Sequence, residues 1–303
     1  MTTAAADAYL VIGNPVVHSL SPLIHAEFAR LTGQVLTYGR ETCPADGFAL
    51  LLRTLVDRGL RGCNVTLPFK FDALQAATQR SDRAALAGAA NTLRIDASAV
   101  VHADNTDGIG LVRDIESGAG VRIEGLRVLL VGAGGAAAGV LGPLLAARPA
   151  VLVLTNRSAA RAAALADSHR AWADAHGALL ATAPIERPFE QPFEQPFEQP
   201  SDRPVAPYDL VINATASSLQ GAASPVPAEV LAHHALAVDL MYGAAAAPFL
   251  AWARAGGATG RDGLGMLVEQ AAESFALWRG VRPPTAPVLA LLRDHLGRQQ
   301  ALA

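Results

Sequence analysis

Cysteine is nearly absent from this chain of 303 residues: Cys43 and Cys63 are the only two. That excludes a disulfide framework and a thiolate metal site, and both thiols are expected to be inert and buried in a reducing compartment. Basic charge is not in excess either. A net charge of −3 offers no field for nucleic acid and no cluster for anionic lipid, so a small molecule is the expected partner. The first Arg or Lys is Arg30, which leaves no basic segment ahead of an apolar one; a secretory leader is not expected, and the cytoplasm is. The Asn-x-Thr triplets at Asn64 and Asn213 would then go unglycosylated. The run from Val128 to Ala147 lacks charge, but Gly132, Gly134 and Gly135 suit a tight turn better than a membrane helix. The histidines show no ligand spacing: His233 and His234 are adjacent, and His18, His25 and His102 are scattered, so no metal is expected.

What is present reads as α/β, with two domains as the size prior. Leu10 to Ile12, Leu36 to Arg40 and Arg61 to Val65 read as strands. Ser21 before Pro22 reads as a helix N-cap, with Leu23, Ile24, Phe28 and Leu31 on one face; Pro44 is expected to open the next helix, and Pro68 the one after it. After Asp107 the texture changes. Leu126 to Val131, a glycine turn, a helix over Ala136 to Ala147 and a strand over Val151 to Leu154 form a βαβ unit. Leu210 to Ile212 and Ala237 to Leu240 supply later strands, Gly263 to Trp278 a long helix, and a final helix is expected to end near Leu296.

Between residues 184 and 204, Pro recurs every fourth position around three copies of Phe-Glu-Gln-Pro. Such spacing prevents a helix, and the segment is expected to be extended or disordered, either a tolerated expansion of a surface loop or a proline-rich docking ligand; deleting Phe189 to Pro200 is expected to leave turnover unchanged.

Two constellations carry chemistry. Gly132, Ala133, Gly134, Gly135, Ala136 and Ala137 fit a GxGxxA fingerprint placed between an apolar strand and a helix, where backbone amides receive a pyrophosphate. At the end of the next strand stand Asn156, Arg157 and Ser158 in place of the carboxylate that favours NAD, and Arg157 with Arg161 can clamp a 2′-phosphate, so NADP is the expected cofactor. Ser158 can also serve simply as a helix cap. The second constellation is Asn64 to Lys70, which offers an amide, a hydroxyl and an ammonium. With Ser19, Ser21, Asn91, Asn105 and Asp107 it describes a pocket for a polyhydroxylated carboxylate, with Lys70 and Asp107 available for proton transfer. Asp107 can also cap a helix starting at Gly108, alone or alongside the proton-transfer role.

The ordered runs HSLSP, NVTLPFK, GAANT, DNTDG and GAGGAAA, from Tyr9 to about Gly280, together resemble the shikimate dehydrogenase family. That resemblance implies an N-terminal α/β substrate domain over residues 1–107, completed by C-terminal helices from about 264 to 303. It also implies a Rossmann-type NADP domain over 108–263 and an interdomain cleft. The implied activity is reversible NADPH-dependent reduction of 3-dehydroshikimate to shikimate in aromatic amino-acid biosynthesis, in a monomer or homodimer. It makes Lys70 the acid/base and Asp107 its partner. Ser19 and Ser21 would hold the carboxylate; Thr66, Asn91 and Gln270 the hydroxyls, with Asn64 in support; Tyr242 would lie near substrate and nicotinamide. Asn213, Thr215 and Gly263 join the cofactor set. Departures occur at Ala216, where the family usually has Ser, and at Gly243 to Ala247. A quinate/shikimate paralogue with relaxed specificity and a non-catalytic NADP sensor are the alternatives.

Overall fold

The computed structural model describes residues 6–188, 207–221 and 224–302. The chain divides into two compact units, Met1–Gly110 with Leu267–Ala303, and Leu111–Met266.

The first unit begins with β1 (Asp7–Gly13), α1 (Ser21–Thr32), β2 (Leu36–Thr42), α2 (Phe48–Asp57), β3 (Gly62–Val65) and α3 (Lys70–Ala76). β4 (Gln79–Arg80), α4 (Asp82–Ala87), β5 (Thr92–Ile95), β6 (Val101–Asp104) and the first half of α5 (Asp107–Arg113) follow. Its strands are ordered β2-β1-β3-β5-β6-β4. β1 is parallel to β2 and β3, whereas β5 runs antiparallel to both β3 and β6. Ile12, Cys63, Val65, Phe69 and Leu93 sit in its core.

The second unit contains β7 (Arg127–Val131), α6 (Gly135–Ala146), β8 (Val151–Thr155), α7 (Ala159–Ala175), β9 (Leu179–Ala183), β10 (Tyr208–Asn213), β11 (Leu231–Asp239), α8 (Ala247–Ala255) and β12 (Thr259–Arg261). Its strands pair in parallel in the order β12-β11-β10-β7-β8-β9. The order reverses direction at β7, the topological switch point where doubly wound sheets bind ligands beyond their strand ends. Both faces of this sheet are covered: Leu130 and Ile212 belong to one apolar cluster, Leu129 and Val211 to another. Two-sided burial is why these strands read as continuous apolar runs. The chain then enters α9 (Leu264–Arg279) and ends in α10 (Ala286–Leu302) within the first unit.

Several boundaries differ from expectation. Helix α1 starts at Ser21 with Leu20 in the cap position, so Ser21 is not the cap; its own amide instead donates to Ser19 Oγ at 3.3 Å. Pro44 begins a tight turn closed by Gly47 N–H, and α2 waits until Phe48. Pro68 lies in a turn closed by Phe69 N–H on Thr66 O, and α3 starts at Lys70. Helix α10 runs past Leu296 to Leu302. Of the proline-rich insertion, only 184–188 is described, as a turn in which Arg187 N–H meets Pro184 O; the Phe-Glu-Gln-Pro repeats lie outside the described residues. Among the described residues no helix is long and apolar enough to cross a membrane.

Candidate active site

The first unit gathers most of the substrate set. β3 ends at Val65 and the chain turns through Pro68 into α3, which places Lys70 at the start of that helix. Lys70 is the only lysine in the chain. Its Nζ lies 2.5 Å from Asp107 Oδ2, and both side chains are largely enclosed, 14% and 8% exposed. Helix α5 starts at Asp107 and not at Gly108, the Asp107 amide donates to Asn105 Oδ1 at 3.1 Å, and the carboxylate meets Lys70 and Asn91.

Asn91 is the hub behind that pair. Its Nδ2 donates to Asp107 Oδ1 at 2.8 Å and lies 3.2 Å from Gln270 Oε1, while its Oδ1 accepts the Thr106 amide at 2.8 Å. Gln270 reaches this point because α9 passes tightly over α5; a Cβ at Gly110 would sit 2.7 Å from Gln270 N and Cβ. Asn64 turns inward. Its Nδ2 donates to Ser274 Oγ at 3.0 Å and Thr92 Oγ1 at 3.2 Å, and its Oδ1 accepts from Tyr38 OH at 2.7 Å. All its polar capacity is used internally, so it supports the loop. Thr66, by contrast, is partly exposed and its hydroxyl has no partner among the described residues.

Ser19 and Ser21 come together at the start of α1, with 3.1 Å between their hydroxyls, and the Arg40 guanidinium holds Ser19 O through Nε at 3.1 Å and Nη2 at 2.6 Å. Behind them, His25 is fully buried and stacks on Tyr38 at 4.2 Å. Burial lowers its pKa to about 3, with Asn64 opposing, so the ring is neutral at physiological pH. Burial likewise pushes the Tyr38 phenol well above its ordinary range, which keeps it a hydrogen-bond donor.

Sequence reasoning missed Tyr38, Thr92, Thr106 and Ser274. Ser274 Oγ lies 2.7 Å from Thr92 Oγ1 and 3.2 Å from Thr106 Oγ1, completing a hydroxyl and amide network beneath Asn91. One local signal existed: Ser274 is four residues after Gln270 and so shares its helix face.

The second unit carries the cofactor set. Gly132 adopts φ 117°, donates its amide to Thr155 O at 2.7 Å, and packs so closely that a Cβ would lie 3.1 Å from the Ala214 carbonyl. Ala133, Gly134, Gly135 and Ala136 continue the turn into α6, whose cap position, Gly134, supplies no side chain. The first-turn amides of that helix therefore remain available to an anion. Asn156 Nδ2 donates to Ser158 O at 3.1 Å, and Ser158 Oγ caps α7 by accepting the Arg161 amide at 3.4 Å. The side chains of Arg157 and Arg161 are exposed and have no acidic partner among the described residues. The residues present thus fit a dinucleotide with an additional phosphate: an open helix start for the diphosphate and unneutralised guanidinium groups at the next strand end.

Asn213 ends β10, and its Oδ1 accepts Thr215 Oγ1 at 2.7 Å and Thr215 N at 3.1 Å. Tyr242 follows β11, and burial raises its pKa. Gly263 N–H donates to Met241 O at 2.9 Å, and a Cβ there would collide with Leu240 O. Tyr242 is carried by the second unit, apart in sequence and unit from the other substrate candidates.

Known proteins match this arrangement. Residues 11–93 match the model of the shikimate dehydrogenase substrate-binding domain, and residues 263–293 that of the shikimate 5'-dehydrogenase C-terminal domain. The shikimate dehydrogenase (NADP(+)) of Acidovorax sp. (strain JS42) is 58% identical over 291 residues, covering 96% of this chain and 97% of that one. Among solved structures, the Ael1 enzyme from Pseudomonas putida aligns with TM-score 0.83 at 43% identity, covering 95% of this chain and 98% of that one. Shikimate 5-dehydrogenase from Thermus thermophilus, solved with shikimate, aligns with TM-score 0.79 at 32% identity, covering 96% and 99%. With such similarity along nearly its whole length, the chain belongs to the shikimate dehydrogenase family.

Proposed function

We propose that this chain is an NADP-dependent shikimate dehydrogenase that interconverts 3-dehydroshikimate and shikimate, with Lys70 and Asp107 as its proton-transfer pair. The observation that carries the reading is the enclosed contact of 2.5 Å between Lys70 Nζ and Asp107 Oδ2, backed by Asn91 on the other carboxylate oxygen. The 58% identity to an NADP(+)-dependent relative supports the activity and the cofactor.

The nicotinamide, when bound, supplies or accepts the hydride at the alcohol carbon. The chain's own residues handle everything else. Ser19 and Ser21 present paired hydroxyls to the ring carboxylate, and Thr66 and Gln270 hold ring hydroxyls. During reduction the Lys70 ammonium donates a proton to the carbonyl oxygen as negative charge develops there, and in the reverse direction its neutral amine takes the hydroxyl proton. Asp107 orients the Lys70 amine and balances its charge, while Asn91 fixes the carboxylate's rotation. Because the polar groups here are enclosed, an analogue lacking a hydroxyl leaves them unpaired and is rejected.

Steady-state rates with shikimate and quinate, each with NADP and NAD, test the reading. The expected preference is shikimate with NADP; faster turnover of quinate with NAD would replace it by the paralogue assignment, and no turnover on any pair would remove the enzymatic reading.

A further inference from the structure

A fully buried carboxylate in the second unit has no role in the chemistry above. Asp239 ends β11 directly across from Asn213, the last residue of β10. Its Oδ2 accepts Ser218 Oγ–H at 2.5 Å; its Oδ1 accepts Met241 N–H at 3.0 Å and Asn213 Nδ2 at 3.4 Å. No cation pairs with it among the described residues. Burial raises its pKa, the three donors pull it back, and Asp262 raises it again.

A buried acid without a cation is costly, so its donors must be worth keeping in place. Those donors belong to the segments that leave two adjacent strands. On the β10 side, Ser218 closes the turn in which Thr215 Oγ1 contacts Ser217 Oγ at 2.6 Å and Asn213 Oδ1 at 2.7 Å. On the β11 side, Met241 is held twice, by its N–H on Asp239 and by its carbonyl accepting Gly263 N–H at 2.9 Å, and Tyr242 is the next residue. The Gly132 turn abuts the first segment, since Ala214 N–H donates to Val131 O at 2.8 Å. One carboxylate therefore ties the segment of Thr215, which packs on the dinucleotide turn, to the segment that carries Tyr242.

We infer that Asp239 is a positioning residue for the reaction, a latch that touches no reactant but sets Thr215 and Tyr242 where the reactive end of NADP must lie. The inference rests on the proposed activity, so the experiment separates the two. The parent chain is assayed first with shikimate and NADP, and NADP binding is measured by calorimetry without substrate; an inactive parent removes the activity reading, and the latch is then judged on binding alone. Asp239→Ala is expected to raise Kd and KM for NADP at least tenfold and lower kcat about tenfold, with KM for shikimate within threefold of the parent. Asp239→Asn should recover NADP binding to within about threefold, because its Oδ1 still accepts Met241 N–H and its new amide can donate to Ser218 Oγ. Unchanged NADP binding in Asp239→Ala, an equal shift in both Michaelis constants, or an Asn variant as impaired as the Ala one overturns the latch. Should Asp239→Ala fail to fold, Ser218→Ala decides: a rise of about threefold in Kd for NADP supports the latch, and no change overturns it.

Discussion

The two units place their polar groups in opposite ways. In the first, Asn64, Asn91, Thr92, Thr106, Gln270 and Ser274 are buried together and bond side chain to side chain. In the second, the sheet interior is apolar and most of the buried polar residues stand at or just beyond the strand exits: Thr155 ends β8, Asn213 ends β10, Asp239 ends β11, and Asp262 follows β12, while Asp114 and His169 lie on helices. The contrast matches two recognition problems. A small ring bearing hydroxyls needs many fixed side-chain donors and acceptors, whereas a dinucleotide is held mainly by backbone at strand ends and helix starts.

The sharpest way to break the comparison is at the polar pair. Lys70→Ala should lower kcat about 10²–10⁴-fold in the molecules that stay folded; near-normal turnover would end the assignment. In the apolar unit the reverse is expected: Ile212→Ala, at a fully buried position, should cost roughly 2–5 kcal/mol of stability in denaturant titration, with kcat little altered in the molecules that stay folded. Replacing Arg157 with Gln should remove one charge-assisted contact of roughly 1.5–3 kcal/mol, raising KM for NADP more than tenfold and leaving KM for NAD almost unchanged. Equal effects on both cofactors would remove the phosphate clamp.

The last comparison concerns pH. His25 has its folded pKa depressed from 6.5 to about 3, so the unfolded chain binds a proton that the folded one refuses. Stability is therefore intact above about pH 6.5 and declines as pH falls toward 3, by at most roughly 1.4 kcal/mol per unit. His25→Phe should flatten that part of the stability profile between pH 6.5 and 4, and an unchanged slope would show that other groups set it.

Legibility in the sequence follows the same division. Four of the six parallel strands of the second unit, β7, β8, β10 and β11, were readable because burial on both faces leaves continuous apolar runs, whereas the edge strands β9 and β12 escaped notice; the glycine turn between β7 and α6 announces itself by spacing alone. In the first unit the antiparallel strands β5 and β6 escaped notice, each being only four residues long and mixing Arg94 or His102 with apolar neighbours. The proposed catalytic positions were visible through motifs, but their supporting network was not. Asn64 and Ser274 are 210 residues apart, and nothing local in either segment signals the hydrogen bond between them. Pro44 and Ser21 misled for a different reason: each suits a helix start, but Pro44 opens a separate turn ahead of α2 and Ser21 is already the first residue of α1.

The choice of arginine at every other basic position has a practical consequence. With one ε-amine in the whole polypeptide, and that amine against a carboxylate, any reagent selective for side-chain amines reports on a single address. Its rate of modification as a function of pH is a direct titration of the proposed proton donor, free of the background that other enzymes' surface lysines impose, and shikimate should slow it by covering the same nitrogen.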